Sequence, residues 1–89
     1  MLKFFFFFKE EKEAKVASRI LEQNGYARNE IFCLEASNEL KWTLIVEKDM
    51  EIEDFFKKEE EIFEKLTNIA EECGGKYDGH EWEISAMKG

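Results

Sequence analysis

Residues 2–8 read Leu-Lys-Phe-Phe-Phe-Phe-Phe, and Lys9-Glu10-Glu11-Lys12 follow at once. How Phe4 to Phe8 are buried decides the fold. A membrane-spanning helix needs about 20 apolar residues. The core of a secretory signal needs roughly 7–15, followed by a small-residue cleavage site. The run is too short for either, so no targeting segment is expected and a cytoplasmic setting is favoured. Aromatic side chains suit a pleated backbone. Residues 2–8 are therefore expected to form a strand. Phe4, Phe6 and Phe8 then point one way, and Phe5 and Phe7 the other. A strand with one wet face alternates apolar and polar residues. This one does not, which predicts a central strand covered, or nearly covered, on both faces.

The rest of the chain supplies partners for that strand. Residues 10–24 carry Ala14, Val16, Ala17, Ile20 and Leu21 at helical spacing. Glu11 and Lys15 stand one turn apart in the favourable order, and Asn24-Gly25 is a helix stop. Residues 30–36 and 40–47 alternate, with a hairpin turn expected at Ser37-Asn38-Glu39. Residues 51–73 read as one long helix, with Phe55, Ile62, Leu66, Ile69 and Cys73 on a stripe. Phe56, Phe63 and Ala70 flank it, Asp49 is placed to cap it, and Gly74-Gly75 end it. Tyr77-Asp78-Gly79 suggests a tight turn with Gly79 at positive φ. Residues 80–87 alternate as a last strand, with His80, Trp82, Ile84 and Ala86 opposite Glu81, Glu83 and Ser85.

The order strand, helix, strand, strand, helix, strand predicts an α+β fold. It is the ferredoxin-like βαββαβ sandwich, a four-stranded antiparallel sheet with two helices on one face. Right-handed crossovers are expected to set the first and third strands side by side and parallel in the centre. At 89 residues the chain is expected to be a single domain, residues 1–89. Nothing in it reads as a linker or a repeat.

Composition narrows the function. The net charge is -8, from 13 basic and 21 acidic residues. Such a chain is repelled by phosphate backbones unless its cations are gathered. Here they are scattered, so direct nucleic-acid binding is not expected, and the acidic surface suits solubility or a basic protein partner. Cys33 and Cys73 lack CxxC spacing and are expected as buried, reduced thiols. His80 is the only histidine. With Asp78, Glu81 and Glu83 it makes a weak metal set, because alternation splits the residues between two faces. No nucleophile motif, phosphate loop or cofactor fingerprint is present. Neither an enzyme, nor a metal, nor a cofactor is expected.

The stretch LTNIAEECGGKYDGHEWEI, residues 66–84, resembles the C-terminal signature of the RraB family, protein regulators of ribonuclease E. That signature runs from an amphipathic helix through a glycine-containing linker into Tyr-Asp-Gly-Trp and a polar strand. Leu66, Ile69 and Ala70 match the helix face, Gly74 and Gly75 the linker, and Tyr77, Asp78 and Gly79 the turn. Glu81 matches the form that continues with Glu. His80 departs from it, standing where the family commonly has Trp; Trp82 lies two residues on, on the same expected strand face. Characterised members are longer, with acidic extensions.

The resemblance implies a non-catalytic regulator that binds another protein, an RNA-degradation enzyme with a basic scaffold region. The expected contact patch is Tyr77, Asp78, His80, Glu81 and Trp82, with Glu59, Glu60 and Glu64 as its electrostatic part. Gly74, Gly75 and Gly79 are expected to shape the turn. A competing reading takes Phe5 and Phe7 as the seal of a homodimer, a self-associating structural or immunity-type domain whose acidic surface meets some other basic protein.

Overall fold

A computed structural model describes residues 2–33 and 42–82, with the side chains of Asn29 and Trp82 outside the description. The fold is mixed α/β, built on an open antiparallel sheet. Its described elements are β1 (Leu2–Phe8), α1 (Glu11–Gln23), β2 (Ala27–Cys33), β3 (Trp42–Lys48), α2 (Ile52–Lys57), α3 (Glu59–Glu72) and β4 (Lys76–Trp82). The expected hairpin turn at Ser37-Asn38-Glu39, and residues 83–87 of the expected last strand, lie outside the described residues.

The described strands run in the order β2-β3-β1-β4, so the phenylalanine strand is central. It pairs antiparallel with both β3 and β4. The expectation of parallel first and third strands is therefore corrected. β2 pairs antiparallel with β3, so β2 runs the same way as β1. The crossover through α1 preserves direction, and the step from β2 to β3 reverses it.

Parity sorts the phenylalanines. Leu2, Phe4, Phe6 and Phe8 are fully buried, while Phe5 and Phe7 are half-buried. The buried set meets Leu44 and Val46 of β3, Ala14, Ala17 and Leu21 of α1, and Ile62, Leu66, Ile69 and Ala70 of α3 in one core. Each fully buried large apolar side chain stabilises by roughly 1.5–3 kcal/mol.

α1 and α3 are amphipathic, with differences from the expected stripes. Val16 is 46% exposed. At about 100° per residue it lies on the far side of the helix from Ala14, and Ser18 takes the inward position instead. Glu10 N–H donates to the Glu13 carboxylate at 3.3 Å, closing the start of α1, and Lys15 meets Glu11 at 3.3 Å. The expected single helix over 51–73 is two helices. Lys58 sits between them at φ -116°, ψ 16°, off the helical conformation. Its N–H still reaches the carbonyls of Asp54 and Phe55, at 3.2 and 3.1 Å. No Gly or Pro marks this break, so periodicity reads straight through it. The cap of α2 is Glu51 rather than Asp49, and it makes no side-chain capping bond.

The two helices of the core end by different sequences with one geometry. After α3, Gly75 N–H donates to the Ala70 carbonyl at 2.8 Å and Gly74 N–H to Glu71 at 3.1 Å. This is the paired closure that favours glycine at the first residue beyond the helix, and Gly74 has φ 88° there. Gly75 is needed for space, because a Cβ on it would overlap the Phe8 ring and the Phe7 carbonyl.

The cysteines differ from expectation. Cys33 is exposed and Cys73 half-buried, and neither is in a disulfide. Cys33 ends β2, which lies at the end of the described strand order and is flanked there by β3 alone. Among the described residues no helix is long and apolar enough to cross a membrane.

Candidate functional site

Tyr77-Asp78-Gly79 is no turn. It lies inside β4, at a register shift against β1. Phe5 pairs with Gly79 and Phe6 with Tyr77, which leaves Asp78 as the extra residue of a bulge. Gly79 has φ 131°, a conformation that other residues rarely adopt. The bulge changes the parity of the strand. Tyr77 aligns with Phe6 and His80 with Phe4, so both stand in register with the core-facing residues of β1. A plain strand would have separated them.

A cleft of about 370 Å³ opens between this edge of the sheet and the helices. Its lining comprises Phe55 of α2, Glu59, Glu60, Ile62 and Phe63 of α3, and Tyr77 and His80 of β4. Aromatic rings make up much of it. The Phe55 and His80 rings lie 4.7 Å apart, and Phe63 meets Tyr77 at 5.8 Å. Tyr77 also leans on Phe6 at 5.2 Å, which anchors the cleft wall to the core. Phe63 is 59% exposed, and Phe56 beside Phe55 is 60% exposed. Two exposed phenylalanines this close to one cleft are unusual on a surface that otherwise carries charge.

The electrostatics are one-sided. Glu59, Glu60 and Glu61 form the first turn of α3, where carboxylates favour the positive end of the helix dipole. The Tyr77 phenol is pushed up to about 12 by burial first, then by Tyr26 and by the Glu59 carboxylate. It therefore stays a neutral hydroxyl. No Lys or Arg lines the cleft among the described residues.

Of the expected patch, the structure unites Tyr77, His80, Glu59 and Glu60. Asp78 is exposed at the bulge. Glu81 pairs in register with Lys3 and so belongs to the opposite face of the sheet. Trp82 takes the register position opposite Leu2. Glu64 borders a different hollow, with Asn24, Tyr26 and Lys48. Phe55 and Phe63 were not among the expected contact residues. The signal for Phe63 was its place at the margin of the apolar stripe, where a large aromatic is hard to bury.

Elsewhere, Lys15, Arg19 and Arg28 share a small hollow with Ser18 and Glu22, so the cations are less dispersed than their spacing suggests. Burial, then Glu72 and Glu13, raise the Cys73 thiol, which makes it a poor nucleophile. Among the described residues no cluster of three metal-ligating side chains occurs.

No curated protein and no solved structure matches the chain. The family model described as regulator of ribonuclease activity B matches residues 1–83. The likeness first visible in residues 66–84 thus extends through β1, and the chain belongs to the RraB family, whose members are regulators of ribonuclease activity.

Proposed function

We propose that this protein regulates an RNA-degrading enzyme of the ribonuclease E type by direct protein contact, through the cleft between α3 and β4, without catalysing a reaction itself. The observation that carries this reading is the cleft's composition: exposed aromatic surface joined to a pair of carboxylates. Aromatic anchors surrounded by polar groups are the usual centre of a protein contact. The acidic surface suits a basic scaffold region, and complementary charge speeds encounter and fixes register. Asp78 and Trp82 of β4 and Glu64 of α3 extend the contact at its margins, while Glu81 belongs to the opposite face of the sheet and lies outside it. RNA is not bound directly, and the setting is the cytoplasm. The strand order and directions favour a ferredoxin-like sandwich as the scaffold.

The test uses purified ribonuclease E and a fluorescent RNA substrate. Added protein is expected to slow cleavage in a saturable way, and Glu59→Lys with Glu60→Lys to weaken that effect at least tenfold. Unchanged cleavage, with no complex in a direct binding assay, removes the reading.

A homodimer is favoured by one separate observation. Phe5, Phe7, Phe32 and Ile45 are all half-buried on the sheet face away from the helices. Sedimentation equilibrium of the wild type against Phe5→Lys decides it.

A further inference from the structure

The protein-contact reading leaves open what enters the cleft, and the inference here rests on that reading. Three features restrict the occupant. The cleft is small, at the lower end of the roughly 300–1,000 Å³ typical of small-ligand pockets. It suits one side chain rather than a helix. Its accessible walls are rings, those of Phe63, Tyr77 and His80. Its charge comes from Glu59 and Glu60, and neither carboxylate is held in an ion pair among the described residues.

An anionic group would be repelled by the two carboxylates. A purely apolar side chain would strip water from them and return nothing. A cation uses both features, because ring faces attract positive charge and carboxylates accept charge-assisted hydrogen bonds. Arginine fits better than lysine. Its guanidinium is planar, stacks on aromatic faces, is weakly hydrated and presents a fork of donors to carboxylates.

We propose that the cleft between α3 and β4 is a receptor for a single arginine side chain of the partner, stacked against Phe63 and Tyr77 and held by Glu59 and Glu60. The contact then has a defined anchor, rather than a general attraction between opposite charges.

The full chain is titrated with N-acetyl-arginine methylamide and followed by NMR. The lysine analogue and the uncharged citrulline analogue serve as controls. The arginine probe is expected to shift the ring signals of Phe63 and His80. Lysine binds more weakly, and citrulline leaves those signals unmoved. Phe63→Ala weakens arginine binding about two- to fivefold, and Glu59→Gln with Glu60→Gln about tenfold. These three residues are exposed, so the variants keep the wild-type backbone spectrum, which is checked first. Equal shifts from citrulline, or arginine shifts that map elsewhere, overturn the proposal. If ribonuclease regulation persists while arginine does not enter the cleft, this inference fails and the protein-contact reading stands. If arginine enters and ribonuclease E is indifferent, the receptor stands and the regulatory reading fails.

Discussion

Phe6 and Phe7 are neighbours of identical chemistry with opposite fates. Phe6 is fully buried in the core and against the Tyr77 ring, while Phe7 is half-buried on the other face. Nothing in the residue distinguishes them. Position along a pleated strand does, because successive side chains leave on opposite sides. Five like residues in a row therefore carry two roles, and only the strand's neighbours decide which is which.

Replacing each in turn tests the difference most severely. Phe6→Ala is expected to cost about 3–5 kcal/mol, enough to unfold much of a small domain. Phe7→Ala should cost less than about half as much. Chemical denaturation of both variants at low and high protein concentration provides the check. Equal losses would mean that the outer face is as well covered as the inner one. A loss for Phe7 that appears only at high concentration would identify the cover as a second copy.

Gly75→Ala probes where the inner side of β1 meets the end of α3. The added methyl overlaps the Phe8 ring and the Phe7 carbonyl. Helix and strand must separate, at an expected cost of about 1–3 kcal/mol. A variant as stable as the wild type would mean that this junction yields freely.

Tyr77 rests on Phe6, and its phenol is raised to about 12. The unfolded chain releases that proton near pH 10. The contribution is thus fully present below pH 10 and is lost as pH rises toward 12. Thermal unfolding between pH 9 and 11 should show stability declining, and Tyr77→Phe should flatten part of the decline. An identical slope in the variant would remove Tyr77 as a cause.

The smallest effect concerns the outer face. Thr43 pairs with Phe7 and is 3% exposed, yet its hydroxyl has no hydrogen-bond partner among the described residues. Thr43→Val removes an unsatisfied group at nearly constant shape. It should leave stability unchanged or raise it by up to about 1 kcal/mol, as read from the midpoint of denaturation. A clear loss would show that the hydroxyl has a partner in solution.

Much of this was legible in the sequence, for reasons that are local. The strand at residues 2–8 with Phe4, Phe6 and Phe8 on one side and Phe5 and Phe7 on the other, the Leu44 and Val46 face of β3, and the stops at Asn24-Gly25 and Gly74-Gly75 follow from period and backbone chemistry, and the structure keeps them. The break at Lys58 was hidden because its residues are ordinary helix formers. The direction of β3 relative to β1 differs from the expectation because it is set by the whole connection between them and by no residue within either strand. The cleft was half legible. Tyr77 and His80 stood out by type, and Glu59 and Glu60 by charge. Their meeting depends on two elements and a bulge, which only tertiary structure brings together.

Asp78 can also be viewed as a frame marker. Every residue beyond it in β4 stands on the side opposite to the one an uninterrupted count from Tyr77 would assign. Drawing that single residue into a regular ladder opposite Phe5 would leave the composition of the strand unchanged while exchanging the places of His80 and Glu81. A basic partner would then meet a carboxylate where it had met a ring, so the identity of the binding surface is written in the spacing of β4 as much as in its side chains.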